Sequence, residues 1–407
     1  MPMTMIDHAL PDTPSQSRVN LISVCLGLTG AFVVQTMLLI TIPLTALELG
    51  ASSAMVGVIL SAPYLLPLVL AIPLGGLITS WGAKRSIVAG GLGLVLGVLS
   101  ILALPGFVGL VLAQLVVGVA HMVMILAGQS VVSGLGQGKV LERYFGWYTT
   151  CLSAGQLIGP LLAGWLLDTR GSMLTFLVTG AVALLTLVSG CGLTGSARLG
   201  HPARREAVGY RAQLRLMRKN PGVQVSIALT VAVVFALSAH GTFLPVYLEN
   251  LDVSATTIGA LVSLRALSAM VVRPFMSTVI DWLGGRVRAM VISALLVAVG
   301  LMLTGLVEGV VLLGLLAVLV GVGSGVSQPL SMVVLAESVH PDQRSGAWGV
   351  RLMGNRAVQF LAPLSLGLLA EILPYSMTFL IGGWVVLLLV GVMLSRLSAF
   401  SGLDSGE

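Results

Sequence analysis

Long apolar runs separated by short polar breaks follow one another along the whole chain. A transmembrane helix needs about 20 predominantly apolar residues to cross the hydrocarbon core of a bilayer, and these runs are of that order. The breaks carry turn residues such as Gly50, Pro105 and Pro374. The pattern therefore predicts twelve transmembrane helices, over residues 21–47, 54–80, 86–104, 108–133, 145–167, 172–194, 222–248, 256–280, 289–307, 310–337, 347–371 and 376–396.

The long break between Gly195 and Pro221 is polar and strongly basic, and it divides the runs into two sets of six. We therefore predict an all-α polytopic membrane protein built from two six-helix bundles. The predicted segments are a cytosolic N-terminal tail 1–20, a first bundle 21–195, a basic cytosolic linker 196–220, a second bundle 221–397 and a cytosolic C-terminal tail 398–407.

Composition supports a lipid environment. Apolar residues make up 57% of the 407 residues and charged residues only 9%, whereas soluble domains carry roughly 25% charged residues. So few polar side chains cannot cover a water-facing globule of this size. The lipid bilayer is therefore the expected surrounding.

The basic residues indicate how the chain is oriented. Short loops that carry lysine and arginine stay on the cytosolic side of a membrane. With the N-terminus in the cytosol, the basic breaks and the linker all fall on that side, and only Arg170 falls outside. Both termini are thus predicted to be cytosolic, in a bacterial inner membrane. The net charge of +6 then reflects topology, and no nucleic-acid partner is expected.

The two halves of the sequence repeat. Residues after the second run match residues after the eighth at an offset of 202, and residues in the fifth run match the eleventh at an offset of 203. Two six-helix repeats are a known transporter plan, with the substrate site between them near the middle of the membrane. The matched pairs are Thr79 with Asp281, Gly82 with Gly284, Lys84 with Arg286, Gly146 with Gly349, Pro160 with Pro363 and Gly164 with Gly367.

The segments 75–85 and 280–288 resemble the loop motif of the major facilitator superfamily. The resemblance implies a latch in which an aspartate and basic residues hold the two bundles in one state. Asp281 keeps the acid in the second copy, whereas Thr79 replaces it in the first and cannot form an ion pair. The residues expected to act in gating are Thr79, Gly82, Lys84, Asp281, Gly284, Arg286, Arg273, Arg351 and Glu337.

The fifth run resembles the signature that proton-linked exporters of the same family share. Its matching residues are Gly146, Gly155, Gly159, Pro160 and Gly164. Small residues at this spacing let a helix lie close to a partner, and a proline bends it. The resemblance implies a drug:proton antiporter-like transporter; the alternative is generic packing by small residues.

The fourth run departs from the family pattern. The family expects an arginine followed by a glycine four residues later, and here these positions are Gln114 and Gly118. The acid that drug:proton antiporters often carry is also missing from this run, and the first run offers only Glu48 at its outer end. The resemblance is thus strong in architecture and weak at the proton-coupling positions.

Four arginines lie inside predicted spans, where a charge costs at least about 2.5 kcal/mol and usually marks function. Arg265 and Arg356 are expected at mid-depth, where no acid is available, which favours contact with an anionic substrate. Arg273 and Arg351 are expected nearer the cytosol, paired with Asp281 or Glu337 in a gate. The expected substrate-binding residues are Arg265, Arg356, Asn355, Gln359, Gln35, Gln114 and Gln328.

Three titratable residues are candidates to carry a coupling proton. His121 and His240 lie within spans, and the imidazole group titrates near neutral pH. The alternative for each is a histidine that is simply hydrogen-bonded inside its bundle. Glu48 is the third candidate.

The sequence thus predicts a secondary active transporter that works by alternating access, with proton-coupled efflux of a small organic solute. The alternative is uptake of an anionic nutrient or siderophore. The competing class, an intramembrane enzyme or sensor, would need a catalytic set or a soluble domain that the sequence does not contain. We therefore expect no enzyme activity, no cofactor or metal, and a monomer.

Overall fold

The computed structural model describes residues 14–135, 138–193, 220–340 and 344–397, and these residues form long helices joined by short turns. The stretch Gly138–Cys191 is divided at Gly171, whose φ of +77° lies outside the helical region. The helices are α1 Pro14–Glu48, α2 Ser53–Trp81, α3 Ala83–Ala103, α4 Phe107–Gly134, α5 138–170, α6 172–191, α7 Pro221–Glu249, α8 Ala255–Trp282, α9 Arg286–Thr304, α10 Val310–Glu337, α11 Arg344–Ile372 and α12 Tyr375–Leu397.

The prediction of an all-α polytopic membrane protein is confirmed. Ten stretches of the described residues are long and apolar enough to span a membrane, and the divided stretch α5–α6 counts as one of them. α11 is not among the ten, because it carries Arg351, Asn355, Arg356 and Gln359 along a single helix. The number of twelve membrane crossings stays a prediction.

Of the predicted segments, the N-terminal tail overlaps the start of a helix, and the linker and the C-terminal tail lie almost entirely outside the described residues. The N-terminal tail was expected to reach residue 20, yet α1 begins at Pro14. A helix can continue past its apolar run into water, and proline suits a first helical turn. Residues 194–219, which hold nearly all of the predicted linker, and the tail 398–407 lie outside the described residues. At the start of α7, the Asn220 side chain accepts a hydrogen bond of 3.2 Å from the Val223 amide.

Glycines allow the helices of each half to pack closely. In the first half α1 packs along α5 and α6, and α3 packs against α4. A Cβ placed on Gly97 of α3 would lie 2.5 Å from a methyl group of Val117 in α4. In the second half α10 packs against α8 and α9, and Gly300 of α9 meets Val320 of α10 in the same way. Small residues provide this close approach in membrane bundles, where lipid removes most of the hydrophobic driving force.

The two halves meet mainly through two helix crossings, α2 with α11 and α5 with α8. Both crossings lie toward one face of the protein, the face that holds the α1–α2 turn at residues 49–52. By the distribution of basic residues this is the predicted outer face. At the first crossing, a Cβ on Gly57 would lie 2.6 Å from the Pro363 carbonyl oxygen and 2.9 Å from the Gly367 Cα. The backbones therefore touch with no room for a side chain.

Candidate functional site

A cavity of about 330 Å³ lies between the two halves, near the middle of the helices. Its wall is formed by α1, α2, α4 and α5 from the first half and by α7, α8, α10 and α11 from the second. The polar and charged side chains in the wall are Gln35, Thr36, Tyr64, His121, Gln156, Ser238, Thr242, Arg265, Arg273, Ser324, Gln328, Arg356 and Gln359.

Five of the seven predicted substrate-binding residues share this wall, and two do not. Gln35 of α1 and Gln328 of α10 approach it from opposite halves, while Arg265, Arg356 and Gln359 enter from α8 and α11. Gln114 is buried in the first half, and Asn355, next to Arg356 on α11, does not line the cavity. A role in substrate binding stays a prediction for all seven residues.

Arg265 and Arg356 bring two guanidinium groups to the cavity without a carboxylate to balance them. Arg356 Nη1 donates a hydrogen bond of 3.0 Å to Gln359 Oε1. The Nε atoms of both arginines are buried and have no hydrogen-bond partner among the described residues. The cavity wall, as far as the structure describes it, contains no aspartate or glutamate. Because a buried charge is costly when unpaired, the site is suited to an anion.

Tyr64 belongs to this charged group, although the sequence patterns did not single it out. Its hydroxyl group lies within electrostatic range of both Arg265 and Arg356. It reaches the cavity from α2, whereas the arginines belong to α8 and α11. The sequence does offer one signal for it: Tyr64 places a hydroxyl group between Pro63 and Pro67 in an otherwise apolar run.

The two histidines occupy different surroundings. His121 lines the cavity, and its ring meets the Phe32 ring edge-on, with centroids 4.5 Å apart. Its Nε2 atom has no partner among the described residues, and Arg356 is near enough to act on it electrostatically. His240 is buried beside Arg265 but is outside the cavity wall. Glu48 is exposed at the end of α1, on the predicted outer face and away from the cavity.

The expected pairing of Glu337 with Arg273 or Arg351 is wrong in geometry. Glu337 Oε2 accepts from Arg286 Nη1 at 2.6 Å, because the end of α10 lies beside the start of α9. Arg273 Nη1 instead donates to Ser153 Oγ of α5 at 3.3 Å, which links the two halves. A role for any of these residues in gating stays a prediction.

Arg351 serves the packing of the second half. Its Nε donates to Thr230 Oγ1 of α7 and its Nη2 donates to Ser331 Oγ of α10, both at 3.2 Å. The side chain is buried, and it does not line the cavity. Arg351 therefore ties α11 to α7 and α10.

The two loop copies keep their glycine turns. Gly82 ends α2 with a φ of +86°, and Gly284 follows α8 with a φ of +76°, a conformation that glycine adopts without strain. Lys84 Nζ donates to the Leu193 carbonyl oxygen at 2.7 Å, at the end of α6. Asp281 is exposed at the end of α8. The Thr79 side chain lies outside the described residues.

The five exporter-like residues of α5 differ in which part of the protein they face. Gly155 and Gly159 face α1, where a Cβ on Gly155 would lie 2.5 Å from the Phe32 Cβ. Pro160 and Gly164 face α8, at the crossing between the halves. Gly146 has open space within 4 Å of its Cβ position. Four of the five residues thus shape contacts with α1 and α8.

The sequence profile of the Major Facilitator Superfamily matches residues 24–284 and 227–401. An uncharacterized MFS-type transporter of Methanocaldococcus jannaschii is 23% identical over 336 residues, which is 81% of this chain and 85% of that protein.

Three solved structures have a similar fold. A bacterial homologue of the human lysosomal transporter Spinster, inward-facing and unoccupied, has a TM-score of 0.72 at 15% identity and covers 95% of this chain and 96% of its own. The nucleoside transporter NupG has a TM-score of 0.76 at 15% identity, with 93% and 99% covered. A POT family transporter in complex with a thioalcohol-conjugated peptide has a TM-score of 0.76 at 16% identity, with 95% and 97% covered. At these identities the likeness concerns the fold alone.

Proposed function

The chain belongs to the major facilitator superfamily and is a multi-pass membrane transporter of that type; from this premise we propose that it carries a small organic anion by alternating access. The observation that carries the proposal is the pair Arg265 and Arg356, two guanidinium groups that line a cavity whose described wall has no acid. A carboxylate supplies the missing charge and accepts the free hydrogen bonds of a guanidinium group.

The cavity also supports a limit on size. A volume of about 330 Å³ is at the lower end of the range for small-molecule sites, about 300–1,000 Å³. Amide groups from Gln35, Gln156 and Gln328, together with the Tyr64 hydroxyl group, line the same space. We therefore propose a metabolite-sized carboxylate that carries further hydrogen-bonding groups.

The charges favour a proton that moves together with the anion. A proton on His121 is repelled by Arg356 in a low-dielectric site, and a bound anion offsets that repulsion. Anion and proton then bind cooperatively, and an inward proton gradient drives uptake. The second candidate is proton-coupled efflux of a small organic solute, which the pattern Gly155, Gly159, Pro160 and Gly164 in α5 favours by resemblance.

Transport by the purified protein in proteoliposomes tests the cargo. We expect saturable movement of at least one small carboxylate from a panel of mono- and dicarboxylates, with competition among its members. Liposomes with a proton gradient imposed in either direction then show whether the anion moves with the protons or against them. Transport of organic cations, without competition by any carboxylate, would rule out the anionic site.

Exchange of His121 for glutamine tests proton coupling. In the His121→Gln protein we expect exchange of labelled for unlabelled anion to continue, because the arginines remain. Proton-driven accumulation should fall by about tenfold or more, since glutamine has no titratable group. The matched control is His240→Gln, which removes a buried histidine outside the cavity wall. Equal proton-driven accumulation in His121→Gln and unaltered protein would exclude His121 as the proton carrier.

A further inference from the structure

The N-terminus of α8 is closed by a carboxylate from the opposite half of the protein. Asp168, near the end of α5, accepts a hydrogen bond of 2.9 Å from the Ala255 amide through Oδ1 and one of 2.7 Å from the Thr256 amide through Oδ2. Both amides belong to the first turn of α8, where no partner exists within the helix. This bidentate contact joins the two halves at the predicted outer face.

A second contact of the same kind closes α2. Glu371, near the end of α11, accepts a hydrogen bond of 3.0 Å from the Ala54 amide in the first turn of α2. Beside it, Ser53 Oγ and the Tyr375 hydroxyl group lie 2.9 Å apart. Here the acid comes from the second half and the helix end from the first, so the direction of the contact is reversed.

The two contacts are related by the internal repeat. Glu371 follows Asp168 at the offset of 203, and Thr256 follows Ala54 at the offset of 202. The serines that cap the two helices also correspond: Ser52 accepts from the Met55 amide at 3.3 Å, and Ser254 from the Thr257 amide at 3.4 Å. Each serine binds one free amide of its helix, and the acid of the other half binds amides that the serine leaves free.

The Ala255 and Thr256 amides of α8 and the Ala54 amide of α2 are therefore bonded within the protein only while the halves touch. A carboxylate at a helix N-terminus gains from the aligned peptide dipoles as well as from the hydrogen bonds. Both contacts lie next to the backbone crossings at Gly57 and Gly164, where no side chain fits. Separation of the halves at this face must break them, and water then solvates the exposed groups.

We propose that Asp168 and Glu371 are a two-fold related pair of latches that hold the predicted outer face closed. Opening of that face requires both to release, and closing re-forms them. Asp168 is the stronger latch, because it accepts two amides where Glu371 accepts one. The proposal rests on alternating access, and it is independent of the cargo.

Access from outside to a cysteine in the cavity tests the latches. Leu39→Cys lies in the cavity wall, and Cys25, Cys151 and Cys191 are replaced by serine in this background. A membrane-impermeant maleimide is applied to the predicted outer face of intact cells or oriented vesicles. We expect Asp168→Asn to raise the labelling rate about fivefold, Glu371→Gln about twofold and the double variant about tenfold, since hydrogen bonds to charged groups are among the stronger ones. The matched control, Glu308→Gln, removes one negative charge from the α9–α10 turn on the same face and should leave the rate unchanged.

Removal of one of the amide donors provides a second test, which does not depend on whether the acid variants fold. Ala255→Pro removes one amide that Asp168 binds, at a first helical position where proline is tolerated. It should raise labelling, and Asp168→Asn should add little to it. An unchanged labelling rate in the double acid variant, or in Ala255→Pro, would overturn the latches. Because labelling needs no substrate, this outcome is distinct from a failure of the proposed anionic cargo.

Discussion

Replacement of Arg356 or Arg265 by methionine is expected to abolish transport of the organic anion while the protein still folds. Loss of one partner from a buried, hydrogen-bonded charge pair costs about 2–5 kcal/mol. A loss of about 3 kcal/mol lowers affinity about a hundredfold. Folding is expected to survive, because neither guanidinium group has a balancing acid in the described cavity wall, and methionine fills a similar volume without a charge. Anion binding and proteoliposome uptake measure the first effect, and the yield of monodisperse protein measures the second.

The matched control for this experiment is Arg351→Met. Arg351 is on the same helix as Arg356, yet it bonds to Thr230 and Ser331 and lies outside the cavity wall. Its removal takes away the hydrogen bonds that tie α11 to Thr230 of α7 and Ser331 of α10, so a lower melting temperature with retained anion affinity is expected. Lysine at position 356 should restore part of the affinity, because it keeps the charge but not the planar fork. Normal uptake by both the Arg265 and the Arg356 variant would disprove the anionic site.

Exchange of Gly155 for valine is expected to remove most of the folded protein. A Cβ at this position would lie 2.5 Å from the Phe32 Cβ and 2.7 Å from the Thr29 carbonyl oxygen of α1. The backbone oxygen cannot rotate away, so α1 and α5 must separate, and overpacking of this kind costs about 1–3 kcal/mol or more. We expect the yield of monodisperse protein to fall about tenfold, as measured by size-exclusion chromatography in detergent.

Gly146→Val is the control for that substitution. It places the same β-branched residue in the same helix, at a position with open space around the Cβ. The intrinsic cost of valine in a helix is therefore shared, and only the contact with α1 differs. Similar yields of the two variants would show that close packing of α1 on α5 is not what Gly155 provides.

Much of the fold could be predicted from the order of apolar and polar residues. Each helix of about 20 or more apolar residues satisfies its own backbone in lipid, so the length of a run predicts a helix directly. The helix boundaries were less predictable, since α1 extends beyond its apolar run, through polar residues, back to Pro14. α11 is hard to recognise as a membrane helix for a different reason. Its arginines and amides face other helices, and hydropathy along the chain does not record the neighbours of a polar side chain.

The site was predictable in part, because depth in the membrane can be counted along a helix but neighbours cannot. Counting placed Arg265 and Arg356 at the same level, and both line the cavity. It did not identify Tyr64, which reaches them from another helix, nor the pairing of Glu337 at the end of α10 with Arg286 at the start of α9. Asp168 and Glu371 differ by the repeat offset, yet that relation alone does not reveal that each acid meets a helix end of the other half.

The two unbalanced guanidinium groups also bear on the rate of the whole cycle. When both gates are shut on an empty site, two positive charges are sealed from water with no counter-ion, whereas a loaded site encloses them with an anion. For the proposed anionic cargo, we therefore expect the return of the unloaded carrier to be the slow step of net transport. Anion on the far side of the membrane would let the carrier return loaded, so we expect exchange of one anion for another to be faster than net movement of anion in one direction.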